Sequence, residues 1–285
     1  MKLYMMNYGC FFLVTPSNNV YFYDTGYDHE TFYTSLQYVR YTLQLNVKGI
    51  FISHFHHDHS GGSHRISRFN RETMEGVYHA GWYSDGETHW ARPSDIPPQE
   101  ELLYVLDKYN IPEYYIGQDT GLDIDEGEDI SFEVINPNKA GTGEETGSVG
   151  GLSDDFWIKV NYGDCSLMLT GDMPTGTAED MLENNEKDVT CDMFTLLHHD
   201  NYSEKLIDLL QPNLAIADSV GSAGVSDLQG LGLEVASWRT GRNAEYEGNM
   251  YIEMKKDGSY TVETGLEQPR KSTRWWKHNT TEFKS

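Results

Sequence analysis

Ten residues constrain this chain more than any other stretch: Ser53-His54-Phe55-His56-His57-Asp58-His59-Ser60-Gly61-Gly62. Four histidines and an aspartate fall within six positions, directly after the apolar run Val47-Lys48-Gly49-Ile50-Phe51-Ile52. An apolar run of that length with a glycine inside reads as a buried strand. A buried strand that ends in imidazoles and a carboxylate delivers them to the rim of a sheet. Such donors suit zinc, manganese or iron. A solvated histidine-rich loop has no need of an aspartate and two glycines at fixed offsets.

The rest of the composition limits the setting. At 285 residues the chain is long enough for a sizeable core. Forty-five acidic residues against 21 basic ones give a formal charge of -24. That field disfavours nucleic acid and anionic membrane at long range, although a local basic groove remains compatible with it. Cys10, Cys165 and Cys191 are far apart and odd in number. They suggest neither a disulfide framework nor a zinc ribbon, and they fit a reduced, cytoplasmic setting. The segment after Met1 is too interrupted for a signal sequence. No apolar run approaches the ~20 residues of a membrane span.

Along the chain, 3–7, 10–15 and 20–24 read as short strands, the third ending in Asp24-Thr25-Gly26. Phe32, Leu36, Val39 and Leu43 recur at helical spacing. Strand 47–52 leads into the histidine stretch, and 60–71 is expected to be a helix opened by Gly61-Gly62. A strand over 76–79, a polar loop over 81–98 and a helix over 100–109 follow. Strands are expected at 113–116 and 131–135, and a long loop at 137–151. Gly163-Asp164 marks a hairpin between strands 156–162 and 165–170. The second of these runs into Thr170-Gly171-Asp172. A helix over 175–184 precedes a buried strand, 191–197, that ends at His198-His199-Asp200. A helix over 204–210 and strands at 214–217, 233–237, 250–254 and 260–263 complete the pattern. Strands before and after helices in this order suggest two sheets covered by helices outside. We expect one domain over 1–265 and a separate tail over 266–285. The tail carries Arg270, Lys271, Arg274, Trp275, Trp276 and Lys277, a basic and aromatic stretch in an acidic chain. It is expected to dock on the body or to serve a partner, an oligomer contact or nucleic acid.

Spacing alone proposes the ligands. His54 and His56 are two apart, so an extended chain turns both to one side. Asp58 and His59 lie where the chain must bend and are available to a second ion. Two cations ~3.5–4 Å apart need a bridging anion. Asp172, at the end of a buried strand, fits that place, and His198 or His199 fits the last one.

Asp24-Thr25-Gly26, His54-x-His56-x-Asp58-His59, Thr170-Gly171-Asp172 and His198-His199 together resemble the metallo-β-lactamase fold superfamily. The resemblance spans about Leu3 to Glu263. More narrowly, Asp58-His59-Ser60-Gly61-Gly62, Leu169-Thr170-Gly171-Asp172 and Leu197-His198-His199 are similar to a branch with two kinds of member. One is the nuclease-like domain of DNA-uptake competence proteins, and the other is the phosphorylcholine esterases. The resemblance implies an α/β fold, an αββα four-layer sandwich of two mixed sheets with helices outside. It also implies two divalent metal ions, commonly zinc, with Mn2+ or Fe2+ as alternatives. It assigns His54 and His56 to the first ion, Asp58 and His59 to the second, Asp172 between them, and His199 as the last ligand. His198 would then face the substrate and donate to a developing oxyanion, with the exchange of His198 and His199 left open. His57 drops out as the variable position of the motif.

One departure stands out. Many superfamily members carry a further histidine where this chain has Leu152-Ser153-Asp154-Asp155. The first metal would be completed by Asp154 or Asp155, by water, or by substrate. Asp24 is expected to hold the free N–H of a ligand histidine.

The expected function is that of a metal-dependent hydrolase, attacking with a metal-bridged hydroxide that Asp58 helps to orient. The catalytic residues are then Asp58 and His198, and the substrate a phosphodiester or another small molecule. No G-x-S-x-G context for a serine nucleophile is present. Hydrolysis of a carboxylic ester or lactone is the alternative from the same metals. A non-catalytic metal-binding assembly protein is the alternative from another class.

Overall fold

A computed structural model gives the fold. It describes residues 1–7, 10–26, 29–68, 73–79, 96–116, 122, 124, 126–127, 129–135, 155–196, 201–217 and 220–267. In the first half of the chain the strands are β1 (Lys2–Asn7), β2 (Cys10–Val14), β3 (Asn19–Tyr23), β4 (Asn46–Ile52), β5 (Gly76–His79), β6 (Glu113–Tyr115) and β7 (Ile130–Ile135). Those of the second half are β8 (Trp157–Tyr162), β9 (Cys165–Leu169), β10 (Met193–Thr195), β11 (Leu214–Ala217), β12 (Glu234–Ser237), β13 (Tyr246–Glu247), β14 (Met250–Met254) and β15 (Tyr260–Thr264). They form two mixed sheets. One has the order β15-β14-β1-β2-β3-β4-β5-β6 and the other β13-β12-β11-β10-β9-β8-β7.

Alternation along each strand builds the layers, because successive side chains face opposite ways. On β1, Leu3 and Met5 enter the core between the sheets, while Tyr4 and Met6 enter an outer core. On β3, Tyr21 and Tyr23 face inward and Val20 and Phe22 outward. On β11, Leu214 and Ile216 face the first sheet, and Ala215 and Ala217 face the helices on the other side. Strands apolar on both faces must be covered twice, which is why helices flank both sheets.

Helices α1 (His29–Gln37), α2 (His57–Ser60) and α3 (Ile96–Tyr109) belong to the first half. Phe32, Leu36, Leu102 and Leu106 seal the outer face of the first sheet. Helices α4 (Thr175–Glu183), α5 (Glu204–Leu210) and α6 (Ser222–Gly230) bring Ala178, Leu206 and Val225 to the second. The architecture is the four-layer α/β sandwich expected from the sequence. No described helix is long and apolar enough to cross a membrane.

Two features direct the strand ends. β1 is antiparallel to β2, β2 to β3, and β3 is parallel to β4, so β1, β3 and β4 all point to one rim. β9, β10, β11 and β12 are mutually parallel. Trp238, just after β12, donates from Nε1 to the Met6 carbonyl at the end of β1, 3.2 Å away. The parallel ends of both sheets therefore share that rim.

The hairpin at Gly163 forms as expected, with β8 and β9 antiparallel. Gly163 has φ 59°, and a Cβ there would meet the Lys256 carbonyl oxygen at 2.4 Å, so only glycine fits.

The expected helix over 60–71 is corrected. The chain turns earlier, within the motif itself: the amides of His59 and Ser60 both donate to the His56 carbonyl. Gly61 ends this single turn, and a 3-10 segment, Ser63–Arg68, follows. Two consecutive glycines make a poor helix start and a good stop. α1 does not end at Gln37 but widens into a π-helical turn, Tyr38–Leu43, which carries Val39 into the core. α3 starts at Ile96, inside the expected polar loop. α6 and β13 are additions that the sequence reading passed over. Residues 81–95 of the expected loop over 81–98 and the expected loop over 137–151 lie outside the described residues, as does the tail from 268 onward.

Candidate metal centre

The centre starts from β3. Asp24 follows it with φ 58°, a left-handed conformation that aspartate tolerates better than most residues. Its amide donates to the Phe51 carbonyl, which ties β3 to the end of β4. In this pose the carboxylate accepts from the Ser53 amide at Oδ1 and from Ser53 Oγ at Oδ2, each at 2.8 Å. Oδ2 also lies 2.6 Å from His59 Nδ1. Thr25 completes a clamp, its amide and hydroxyl both donating to the His59 carbonyl.

With Nδ1 of His59 engaged, Nε2 turns inward and lies 3.1 Å from Asp172 Oδ1. His54 is arranged the same way. Its Nδ1 is 3.0 Å from Ser53 Oγ and 3.0 Å from Asp155 Oδ1. His54 Nε2 faces His56 Nδ1 at 2.9 Å and Asp172 Oδ2 at 3.8 Å.

Two groups of ligand atoms result, each within 4.8 Å. One holds His54, His56 and Asp172; the other holds Asp58, His59 and Asp172. Asp172 is common to both and turns a different oxygen to the histidine of each. Its own position is fixed from behind. The Asp172 amide donates to Asp155 Oδ2 in a very short contact. Gly171 makes this possible, since a Cβ there would sit 2.6 Å from that oxygen.

The electrostatics fit a cation. Asp24, Asp155 and Asp172 are buried, and their recorded ion-pair partners are histidines. Burial alone would lower the pKa of His59, yet Asp172 and Asp24 hold it well above the usual histidine value. Burial likewise opposes the charged form of His54, and Asp155 raises it nonetheless. Burial works to raise the Asp58 carboxyl, but the neighbouring His59 keeps it below the ordinary aspartate range. Two ring nitrogens face each other at 2.9 Å beside a carboxylate, so they must share a proton or a metal ion. Three imidazoles and two carboxylates suit zinc, manganese or iron. The residues fit divalent metal.

The structure thus brings together His54, His56, Asp58, His59 and Asp172. His57 stays apart, its Nδ1 3.9 Å from Asp58 Oδ1. His198 and His199 lie outside the described residues, as does Asp154. Asp155, an expected alternative for completing the first metal, instead turns one oxygen to His54 Nδ1 and the other to the Asp172 amide. Ser53, which links Asp24 to His54, and Gly171 stand inside the quoted motifs, where neither was given a role. A serine directly before the first histidine of a metal motif was the one available signal.

The family model for the metallo-beta-lactamase superfamily matches residues 10–211. No curated protein matches the chain. Among solved structures, a mutant of CmlA, a diiron β-hydroxylase of Streptomyces venezuelae, is 10% identical with a TM-score of 0.51. The match covers 84% of this chain and 52% of that one, so the chain spans about half the length of CmlA. Igni18, a metallo hydrolase of Ignicoccus hospitalis, is 11% identical with a TM-score of 0.48, over 93% of this chain and 99% of that one. A metal-dependent hydrolase of Parabacteroides distasonis is 14% identical with a TM-score of 0.48, over 82% and 91%. At 10% identity the CmlA match speaks for the fold alone, and the two matches with TM-scores below 0.5 carry no argument. The family model covers well over half of the sequence, and the chain belongs to the metallo-β-lactamase superfamily.

Proposed function

We propose that the chain is a dinuclear metal-dependent phosphodiesterase. In this reading His54, His56 and Asp172 hold one divalent ion, and Asp58, His59 and Asp172 hold the other. Zinc is the expected metal, with manganese or iron as alternatives. The observation that carries the reading is Asp172, whose two oxygens face two separate histidine groups.

Metal bound there supplies a Lewis acid for a substrate oxygen and an activated water near neutral pH. The chain's own residues do the rest. Asp155 and Asp24 sit at Nδ1 of His54 and His59, so each ring presents Nε2 to the interior. Asp58 is only partly buried, and beside its ligand role it would orient the attacking water. By the resemblance His199 would supply the remaining ligand and His198 would donate to the negative charge that builds on the substrate, with the exchange of the two left open.

The preference for phosphodiesters rests on the resemblance of Asp58 to Gly62, Leu169 to Asp172 and Leu197 to His199 to the competence-nuclease and phosphorylcholine-esterase branch. A formal charge of -24 points to a small substrate rather than a long polyanion.

The test is an assay panel on metal-loaded protein: a nitrophenyl phosphodiester, an acyl-lactone and single-stranded DNA. Turnover of the small diester, lost on chelation and in Asp172→Ala, is expected. Turnover of the lactone alone would replace the phosphodiester reading. Full activity in Asp172→Ala would overturn the shared-carboxylate mechanism.

A further inference from the structure

Arg239 and Arg242 stand on the same rim as the metal centre, in the loop between β12 and β13. The rim is shared because Trp238 bonds the Met6 carbonyl at the end of β1. Asp172 follows β9, and β10 and β11 separate β9 from β12. Three strand spacings of about 4.8 Å put the loop about 14 Å from the centre.

Among the described residues no carboxylate pairs with the arginines of this loop. The chain carries 45 acidic residues against 21 basic ones, so two arginines close together in one loop form a local positive site in a negative field. Among the described residues neither Arg239 nor Arg242 has an ion pair, and Arg242 Nε is buried with no hydrogen-bond partner. The two nearest acids in sequence are engaged elsewhere. The Glu247 carboxylate accepts from the amides of Gly241 and Arg242, each at 2.6 Å, and from Ala244 at 3.3 Å. The Glu245 carboxylate accepts from the Val235 amide at 2.8 Å and from Gln229 Nε2 at 3.0 Å. Both acids thus hold the backbone of the loop and its neighbours rather than its guanidinium groups. Gly241 bends the turn with φ 76°, which glycine adopts without strain.

We propose that Arg239 and Arg242 form an anion subsite that holds a second phosphate group of the substrate. The proposal rests on the phosphodiesterase reading and narrows it. The substrate is a small phosphorylated diester with its second phosphate towards β12. Planar guanidinium groups match phosphate oxygens in pairs. The surrounding negative field then selects against longer polyanions, which would extend beyond these two arginines.

The test has a binding arm and a kinetic arm. Inorganic phosphate is titrated by calorimetry into metal-loaded, full-length protein and into Arg239→Gln/Arg242→Gln. Two classes of site are expected in the wild type, one suppressed by chelator and one not. The glutamine variant should weaken the second class by about tenfold or more and leave the first. Arg239→Lys/Arg242→Lys should keep the second class with less than about tenfold weakening, since the charge remains. In the kinetic arm, a nitrophenyl diester bearing a terminal phosphate should show KM raised about tenfold in the glutamine variant at near-constant kcat. Bis(nitrophenyl) phosphate should show no change. An unaltered isotherm in the glutamine variant overturns the subsite. Equal loss in the lysine variant assigns the effect to the shape of the loop and also overturns it. If the wild type cleaves no diester but the glutamine variant still loses the second class, the phosphodiesterase reading fails and the subsite stands.

Discussion

Asp24 Oδ2 lies 2.6 Å from Nδ1 of His59, a residue 35 positions further on and in another element. The contact fixes which ring nitrogen faces Asp172. Asp24 also accepts both donors of Ser53, so one carboxylate organises the end of β4 and the start of α2 together. Replacing it with asparagine leaves the shape but removes the charge that holds the ring. Asp24→Asn should weaken metal binding about 10- to 100-fold, as loss of a carboxylate behind a ligand histidine does. Competition with a chromophoric chelator reads this directly. Unchanged affinity would show that His59 needs no such support.

Gly171 is the second point of control. A Cβ there would stand 2.6 Å from Asp155 Oδ2 and 3.1 Å from Ser53 Cβ. Neither neighbour can yield freely, because Asp155 faces both His54 and the Asp172 amide. Gly171→Ala should cost about 1–3 kcal/mol of stability through overpacking and reduce the metal content of purified protein. Denaturant unfolding and elemental analysis together check it. A variant with full metal content would show that Asp155 can move aside.

Legibility in the sequence followed the range of the interactions. β1 to β5, α5, β11 and the Gly163 hairpin are local patterns, and each forms within a residue or two of its expected place. The cluster from His54 to His59 announced itself because its spacing is local too. The start of α2 was misjudged because the turn is pinned by the His56 carbonyl, which serves two amides, rather than by the glycines that follow. α6 was missed because it is short, holds two glycines and buries only Val225 and Leu228. Asp155 was legible as a candidate but not as to its role. Its two contacts, to His54 and to Asp172, exist only once both sheets are in place.

A second buried carboxylate, remote from the centre, locks the other end of the sandwich. Glu126 accepts from Thr15 Oγ1 at 2.8 Å, Asn19 Nδ2 at 2.8 Å and Tyr21 OH at 2.7 Å. It thereby closes the β2–β3 turn against the segment before β7. Burial, and then the hydrogen bond to Glu126, push the Tyr21 hydroxyl pKa far above the ordinary tyrosine value. Glu126→Ala would strand these donors at about 1–3 kcal/mol for each one that stays buried and unpaired. A loss of about 2–4 kcal/mol is expected, since water can reach part of the gap. Urea unfolding measures it, and a loss below about 0.5 kcal/mol would mean that the turn re-solvates without strain.

The cysteines give a pH signature whose sign follows from burial. All three are buried and reduced. Burial pushes the thiols of Cys165 and Cys191 up to about 12. In the unfolded chain the same groups lose their protons near 9.0. Between these values the native state holds protons that the unfolded state has released, so stability falls as pH rises. Well below 9.0 both states are protonated and the thiols contribute no slope. As far as these groups are concerned, the urea midpoint should therefore be flat from about pH 6.5 to about pH 7.5 and lower at about pH 10.5 than at about pH 8.5. Cys165→Ser or Cys191→Ser would confuse packing with titration, so Cys191→Ala, which removes the ionisable group, is the better control. It should be less stable throughout but with a shallower decline above pH 9. The same burial predicts slow reaction of the native thiols with a disulfide reagent at pH 8, because the thiolate is the reacting form. Rapid labelling of Cys165 or Cys191 in the folded protein, or a midpoint that does not drop above pH 9, would show that these thiols meet solvent.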